Sequence, residues 1–110
     1  NIYKMKNKHV LLTILLSFFS LAMMAQTFTL QGRVTDSNNN PVELATVAVA
    51  KQGRVTMTNL KGEYSIQLHS ADSVVVRFSM VGYKTKTRVL RRPKGRQTLI
   101  VQLFDDNQIG

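Results

Sequence analysis

The sequence predicts an all-β fold, a seven-stranded antiparallel Greek-key β-sandwich, placed after an apolar segment at the N-terminus. From Gln26 onward, apolar and polar residues alternate with a period of two, which is typical of strands that bury one face. Turn-forming residues interrupt this pattern about every 8–15 residues, and no helical stripe follows Ala25. Short strands with this spacing favour a sandwich.

Residues 1–25 indicate a secretory signal peptide. Lys4, Lys6 and Lys8 form a basic start, residues 10–25 are almost wholly apolar, and cleavage is expected between Ala25 and Gln26. A helix of these 16 residues would span about 24 Å, less than a hydrocarbon core of about 30 Å. A retained membrane anchor is therefore the weaker alternative. Met5 is the expected translation start, which places residues 1–4 upstream of it.

Composition argues against an enzyme. Residues 26–110 carry twelve Lys and Arg against six Asp and Glu, so their net charge is +6, and their length suits one small domain. The chain has no Cys, which excludes a disulfide scaffold, a thiol nucleophile and a Cys-type zinc site. We expect no catalytic residue, no cofactor and no metal site.

The alternation predicts strands at residues 27–35, 43–51, 54–59, 64–68, 74–80, 84–90 and 98–104. In the first strand, Phe28, Leu30 and Val34 share a face with Gly32. The run Val74–Val76 is the most apolar and is expected to form an interior strand. The turns between strands are rich in Asn, Asp, Pro and Gly.

Four ordered blocks of this sequence match a known pattern. They read G-x-V-x-D from Gly32, P-hydrophobic-x-x-A-x-V from Pro41, T-[DN]-x-x-G-x-[FY]-S from Thr58, and G-[FY] at Gly82. Over about residues 28–104 the chain resembles the carboxypeptidase-like regulatory domain, a transthyretin-like, Ig-like β-sandwich. Its fold signature is Gly32, Asp36, Pro41, Ala45, Gly62, Tyr64, Gly82 and Tyr83, and these residues are expected to have structural roles.

The resemblance implies a location and a set of partners. In exported proteins of Gram-negative cells, such a domain often follows the signal peptide of a TonB-dependent outer-membrane receptor. Residues 105–110 resemble the start of the linker to the plug, so the native chain is expected to continue beyond Gly110, with this domain at the periplasmic face of the outer membrane. Expected partners are periplasmic proteins or the plug and barrel of the same chain, without nucleic acid or a small-molecule substrate.

Two other functions stay open. The domain could be a carbohydrate- or surface-binding module of a secreted protein, or the accessory domain of a secreted peptidase. Exposed aromatic residues on one face would favour the first, yet Phe28, Tyr64, Phe78, Tyr83 and Phe104 are predicted mostly as core.

The candidate surface site is a basic run of seven cations in thirteen residues: Lys84, Lys86, Arg88, Arg91, Arg92, Lys94 and Arg96. It fits either an anionic partner, such as a lipid surface, or a solvated edge strand whose charges prevent further pairing. Elsewhere, Asp36, Asn38 and Asn40 have a spacing faintly similar to that of a calcium loop, but turn chemistry is the better interpretation. His69 is expected in a loop without a chemical role.

Overall fold

The computed structural model describes residues 26–106, which form seven strands in two packed sheets. The strands are β1 (Thr27–Thr35), β2 (Thr46–Val49), β3 (Arg54–Met57), β4 (Glu63–His69), β5 (Ser73–Ser79), β6 (Lys86–Arg91) and β7 (Gly95–Gln102). The predicted seven-stranded sandwich is confirmed. The predicted signal peptide, residues 1–25, and the end of the predicted linker, residues 107–110, lie outside the described residues.

Each sheet joins strands that are distant in sequence. Sheet A has the order β4-β1-β7, and sheet B has the order β3-β2-β5-β6. The predicted interior position of Val74–Val76 is confirmed, because β5 lies between β2 and β6. One pair departs from the predicted antiparallel arrangement: β1 and β7 run parallel. Side chains alternate identically in parallel and antiparallel strands, so the sequence pattern could not distinguish the two.

The core lies between the sheets. Its buried apolar side chains come from all of the strands except β3 and β6, and from Val42, Ala45 and Leu103 outside the strands. In β4 and β5, every second residue is buried, as the alternation predicted. Phe78 is the largest fully buried side chain, and its ring meets the Tyr64 ring edge-on with centroids 5.6 Å apart. Burial of these side chains supplies the main stabilisation of a domain that has no disulfide.

The second strand is shorter than predicted. Residues 43 and 44 form a turn in which Leu44 has a positive φ of 61°, and the chain enters a 3₁₀ turn at Ala50–Gln52 directly after β2. The inward positions of Ala45, Val47 and Val49 are nevertheless as expected. Within residues 26–106, no helix is long and apolar enough to cross a membrane.

Candidate interaction surface

Two turns at one end of the sandwich contain much of the fold signature. The Asp36 carboxylate accepts hydrogen bonds from the backbone N–H groups of Asn38 and Asn40, both at 2.9 Å. The Asn59 side chain accepts two bonds in the same way, from Lys61 and Glu63. Asp36 therefore has the predicted turn role, because its carboxylate oxygen is engaged by its own loop.

Replacing Asp36 by Ala is expected to lower the free energy of unfolding by about 1 kcal/mol, because two backbone N–H groups lose their acceptor. Asp36→Asn keeps an oxygen at that position and should cost less. Thermal melts of both variants check this. Equal losses in the two variants would contradict the hydrogen-bonding role.

Gly62 and Pro41 bring these two turns together. Gly62 has φ of 75°, and a Cβ added there would lie 2.5 Å from the Val34 carbonyl oxygen and 3.1 Å from Pro41 Cβ. The Val34 N–H also donates to the Gly62 carbonyl at 2.8 Å. Glycine is thus required by both backbone conformation and space.

Thr58 begins the third matched block but is not one of the fold-signature residues, yet it links the same region to the core. Its side chain is fully buried, and its hydroxyl accepts from the Ala45 N–H at 2.9 Å and donates to the Val42 carbonyl at 2.6 Å. The hydroxyl therefore satisfies two backbone groups of the irregular segment before β2. This explains why Ala45, completely buried, can be held in place without a strand.

Gly32 leaves room for the Tyr64 side chain to cross sheet A. Tyr64 lies opposite Gly32 on the neighbouring strand, and its hydroxyl donates to the Leu99 carbonyl at 2.8 Å, on the strand beyond. A Cβ on Gly32 would overlap the Leu99 carbonyl and lie 2.9 Å from the Tyr64 hydroxyl. The absent side chain thus permits a hydrogen bond that spans all three strands of the sheet.

Burial raises the pKa of Tyr64 far above its usual value of 10.0. The unfolded chain therefore releases this proton near pH 10, whereas the folded chain retains it. Stability from this group is present below about pH 10 and falls as pH rises above it. Urea unfolding at about pH 8 and pH 11 should show a smaller loss for Tyr64→Phe than for the native chain. Identical losses would contradict this assignment.

The last signature pair, Gly82–Tyr83, closes the sandwich beside β6. Gly82 has φ of 89°, and Tyr83 is half-buried against the core, as expected. Tyr83 and Asp105 form an isolated antiparallel β-bridge through their backbones, and the Lys84 N–H donates to the Phe104 carbonyl. Phe104 departs from the prediction of a core residue, because 42% of its surface is exposed and Lys86 Nζ lies 5.6 Å from its ring centroid.

The structure distributes the predicted basic run over several surfaces. Lys86 and Arg88 lie opposite Phe78 and Val76, so they belong to the inward face of β6 at the edge of sheet B. Inward-pointing charges on an edge strand oppose pairing with another chain. Arg91 is on the outer face of β6, Lys84 precedes β6, Arg92 and Lys94 lie between β6 and β7, and Arg96 lies on β7.

The charges themselves are segregated. Residues 46–57 and 73–91, which are sheet B and its two hairpin connections, contain seven Lys and Arg and no Asp or Glu. Arg92, just beyond them, has its Nε 3.8 Å from an Asp72 carboxylate oxygen, but both side chains are largely exposed, so this pair contributes little. Sheet B is therefore a cationic half of the molecule, and Arg77 belongs to it although it lay outside the predicted run.

The remaining candidates are His69, possible metal ligands and a depression on the surface. His69 lies at the end of β4 and not in the predicted loop, and its backbone exchanges two 2.8 Å hydrogen bonds with the Gln52 side chain. Over residues 26–106, no group of three or more His, Cys, Asp or Glu is arranged to hold a metal ion. A shallow depression of about 940 Å³ lies on the outer face of sheet A, lined by residues that include Arg33, Glu63 and Ile100.

The fold and the signature residues define a two-sheet β-sandwich domain with a well-packed core. The family model described as the CarboxypepD_reg-like domain matches residues 30–109. The chain therefore belongs to this family, and the resemblance found in the sequence is confirmed. None of the curated proteins compared with the chain matches it.

Several solved structures share the architecture at low identity. A chain from a type II cohesin–X-dockerin complex of Acetivibrio cellulolyticus has a TM-score of 0.63 at 13% identity, over 74% of this chain and 60% of that one. The Bacillus anthracis TIE protein has a TM-score of 0.58 at 12% identity, over 73% of this chain and 17% of that one. Catechol 1,2-dioxygenase from Pseudomonas arvilla C-1 has a TM-score of 0.57 at 13% identity, over 76% of this chain and 54% of that one.

These similarities establish the fold alone. The chain spans less than two thirds of each of these three proteins, and the group includes an enzyme beside a cohesin–dockerin complex. One sandwich architecture thus supports unrelated activities, and function has to be argued from this chain's own surfaces.

Proposed function

We propose that this chain is an exported, non-catalytic interaction domain that precedes the plug and barrel of a TonB-dependent outer-membrane transporter. It acts on the periplasmic face of the outer membrane. The observation that carries the proposal is the order of segments: a CarboxypepD_reg-like domain from residue 30 follows directly on a segment with the sequence pattern of a signal peptide.

The chemistry of the buried residues supports a role in binding. The hydroxyls of Thr58 and Tyr64 are each engaged in hydrogen bonds to backbone groups that hold the sandwich together. The charged side chains of the described residues lie at the surface. There they can contact another molecule, but they are not gathered in a site that excludes water. Such a domain contributes through its faces and edges, not through a reaction.

Fractionation of the source cells tests this proposal. An antibody against residues 26–106 should detect, in the outer-membrane fraction, a protein several hundred residues longer than this chain. Mass spectrometry should find Gln26 at its N-terminus. A cytoplasmic protein that retains residues 5–25 would contradict export, while a free periplasmic protein ending near Gly110 would contradict the transporter assignment.

A further inference from the structure

The outer face of sheet B, turned away from sheet A, exposes a group of apolar side chains. Val75 and Val89 lie directly opposite each other on β5 and β6 and are 43% and 56% exposed. Val55 and Met57 on β3 are exposed too, and their cross-strand partners place them on the same face. Exposed apolar residues gathered on one sheet face are typical of a contact surface.

Two arginines flank the central valine pair. Arg77 follows Val75 by two residues on β5, and Arg91 follows Val89 by two residues on the antiparallel strand β6. The arginines therefore stand on opposite sides of the pair, about 13 Å apart along the strands. An α-helix is about 10 Å wide, so the two guanidinium groups can flank a helix lying across the valines.

The charge of this face restricts the partner. The charged strand residues of this face are Arg77 and Arg91, and sheet B with its hairpin connections contains no Asp or Glu, so a partner must supply the negative charge. A second copy laid face to face would place arginines against arginines. A lipid headgroup layer is flat, and it would meet the long arginine side chains before it reached the short valines. A partner that touches both needs protruding apolar groups between carboxylates.

We propose that the outer face of sheet B binds an acidic amphipathic α-helix of a partner protein. The apolar stripe of the helix packs on Val75 and Val89, and flanking carboxylates pair with Arg77 and Arg91. A helix layered on a sheet is one of the few stable ways to cover an apolar sheet face. This inference rests on the proposed role as an interaction domain, but not on the presence of a transporter downstream.

A synthetic helix provides the test. The probe is a labelled peptide of about 18 residues with leucines along one stripe and glutamates beside it. Its control replaces the glutamates by lysines. Fluorescence anisotropy with the purified protein should give saturable binding of the glutamate peptide and none of the lysine peptide. Arg77→Gln should raise Kd roughly tenfold, and Val89→Thr roughly fivefold.

Matched variants on sheet A separate this face from general charge or hydrophobicity. Arg96→Gln removes the same charge, and Ile100→Thr removes an apolar side chain that is 71% exposed. Both should leave Kd within about twofold. All four variants replace exposed residues, so their melting temperatures should stay close to the native value and serve as a folding check.

Three results would overturn the proposal. The first is absence of saturable binding by the glutamate peptide. The second is an equal loss of affinity in the sheet A and sheet B variants. The third is binding to phosphatidylglycerol vesicles that depends on Arg77 but not on Val89, with no peptide binding, which would indicate an electrostatic lipid contact. None of these results would bear on whether a transporter follows Gly110, so failure here is distinguishable from failure of the transporter assignment.

Discussion

Replacing Gly32 by Ala is expected to destabilise the domain by about 4 kcal/mol or more, enough to prevent folding at moderate temperature. The added Cβ would overlap the Leu99 carbonyl, which is backbone of the neighbouring strand and cannot rotate away. It would also displace the Tyr64 hydroxyl from its bond to that carbonyl. Because β1 is the middle strand of sheet A, any shift separates β7 from β4 as well.

Gly53→Ala is the matched control for this variant. Gly53 has φ of 60° but nothing within 4 Å of an added Cβ, so its replacement carries only the cost of a left-handed backbone, about 1 kcal/mol. Thermal unfolding followed by circular dichroism measures both. If Gly32→Ala melted within a few degrees of Gly53→Ala, the close approach of β7 to β1 would not be required.

Replacing Thr58 by Val is expected to cost about 3 kcal/mol, although valine has nearly the same shape. The change leaves the Ala45 N–H and the Val42 carbonyl without their side-chain partner in a buried region. Thr58→Ser keeps the hydroxyl and loses only a methyl group, so it should cost about 1 kcal/mol. Urea unfolding of the two variants gives the comparison. A serine variant less stable than the valine variant would contradict the role of the hydroxyl.

The strands could be predicted because each buries one face. Alternation in β4 and β5 is strict, since both strands place every second side chain in the core. The glycine and Asx turns were also predictable, because left-handed φ and short polar side chains favour few residue types. These features depend on residues that are close in sequence, so the sequence pattern is enough to predict them.

The remaining features depend on neighbours in space. The parallel pairing of β1 with β7 and the burial of Thr58 both arise where distant segments meet. The sequence also could not predict that Lys86 and Arg88 lie on the inward face of β6, because charged side chains that point inward from an edge strand still reach solvent. The run Val74–Val76 predicted an interior strand, but because Val75 lies between two inward valines it also makes the outer face of β5 apolar.

The sequence of the gene beyond the codon for Gly110 tests the central proposal most directly. We expect an open reading frame of several hundred codons that encodes a plug and then many alternating segments of about 10 residues, as in outer-membrane barrels. A stop codon within a few residues of Gly110, or a downstream domain with zinc-ligand spacing, would contradict the assignment to a TonB-dependent transporter.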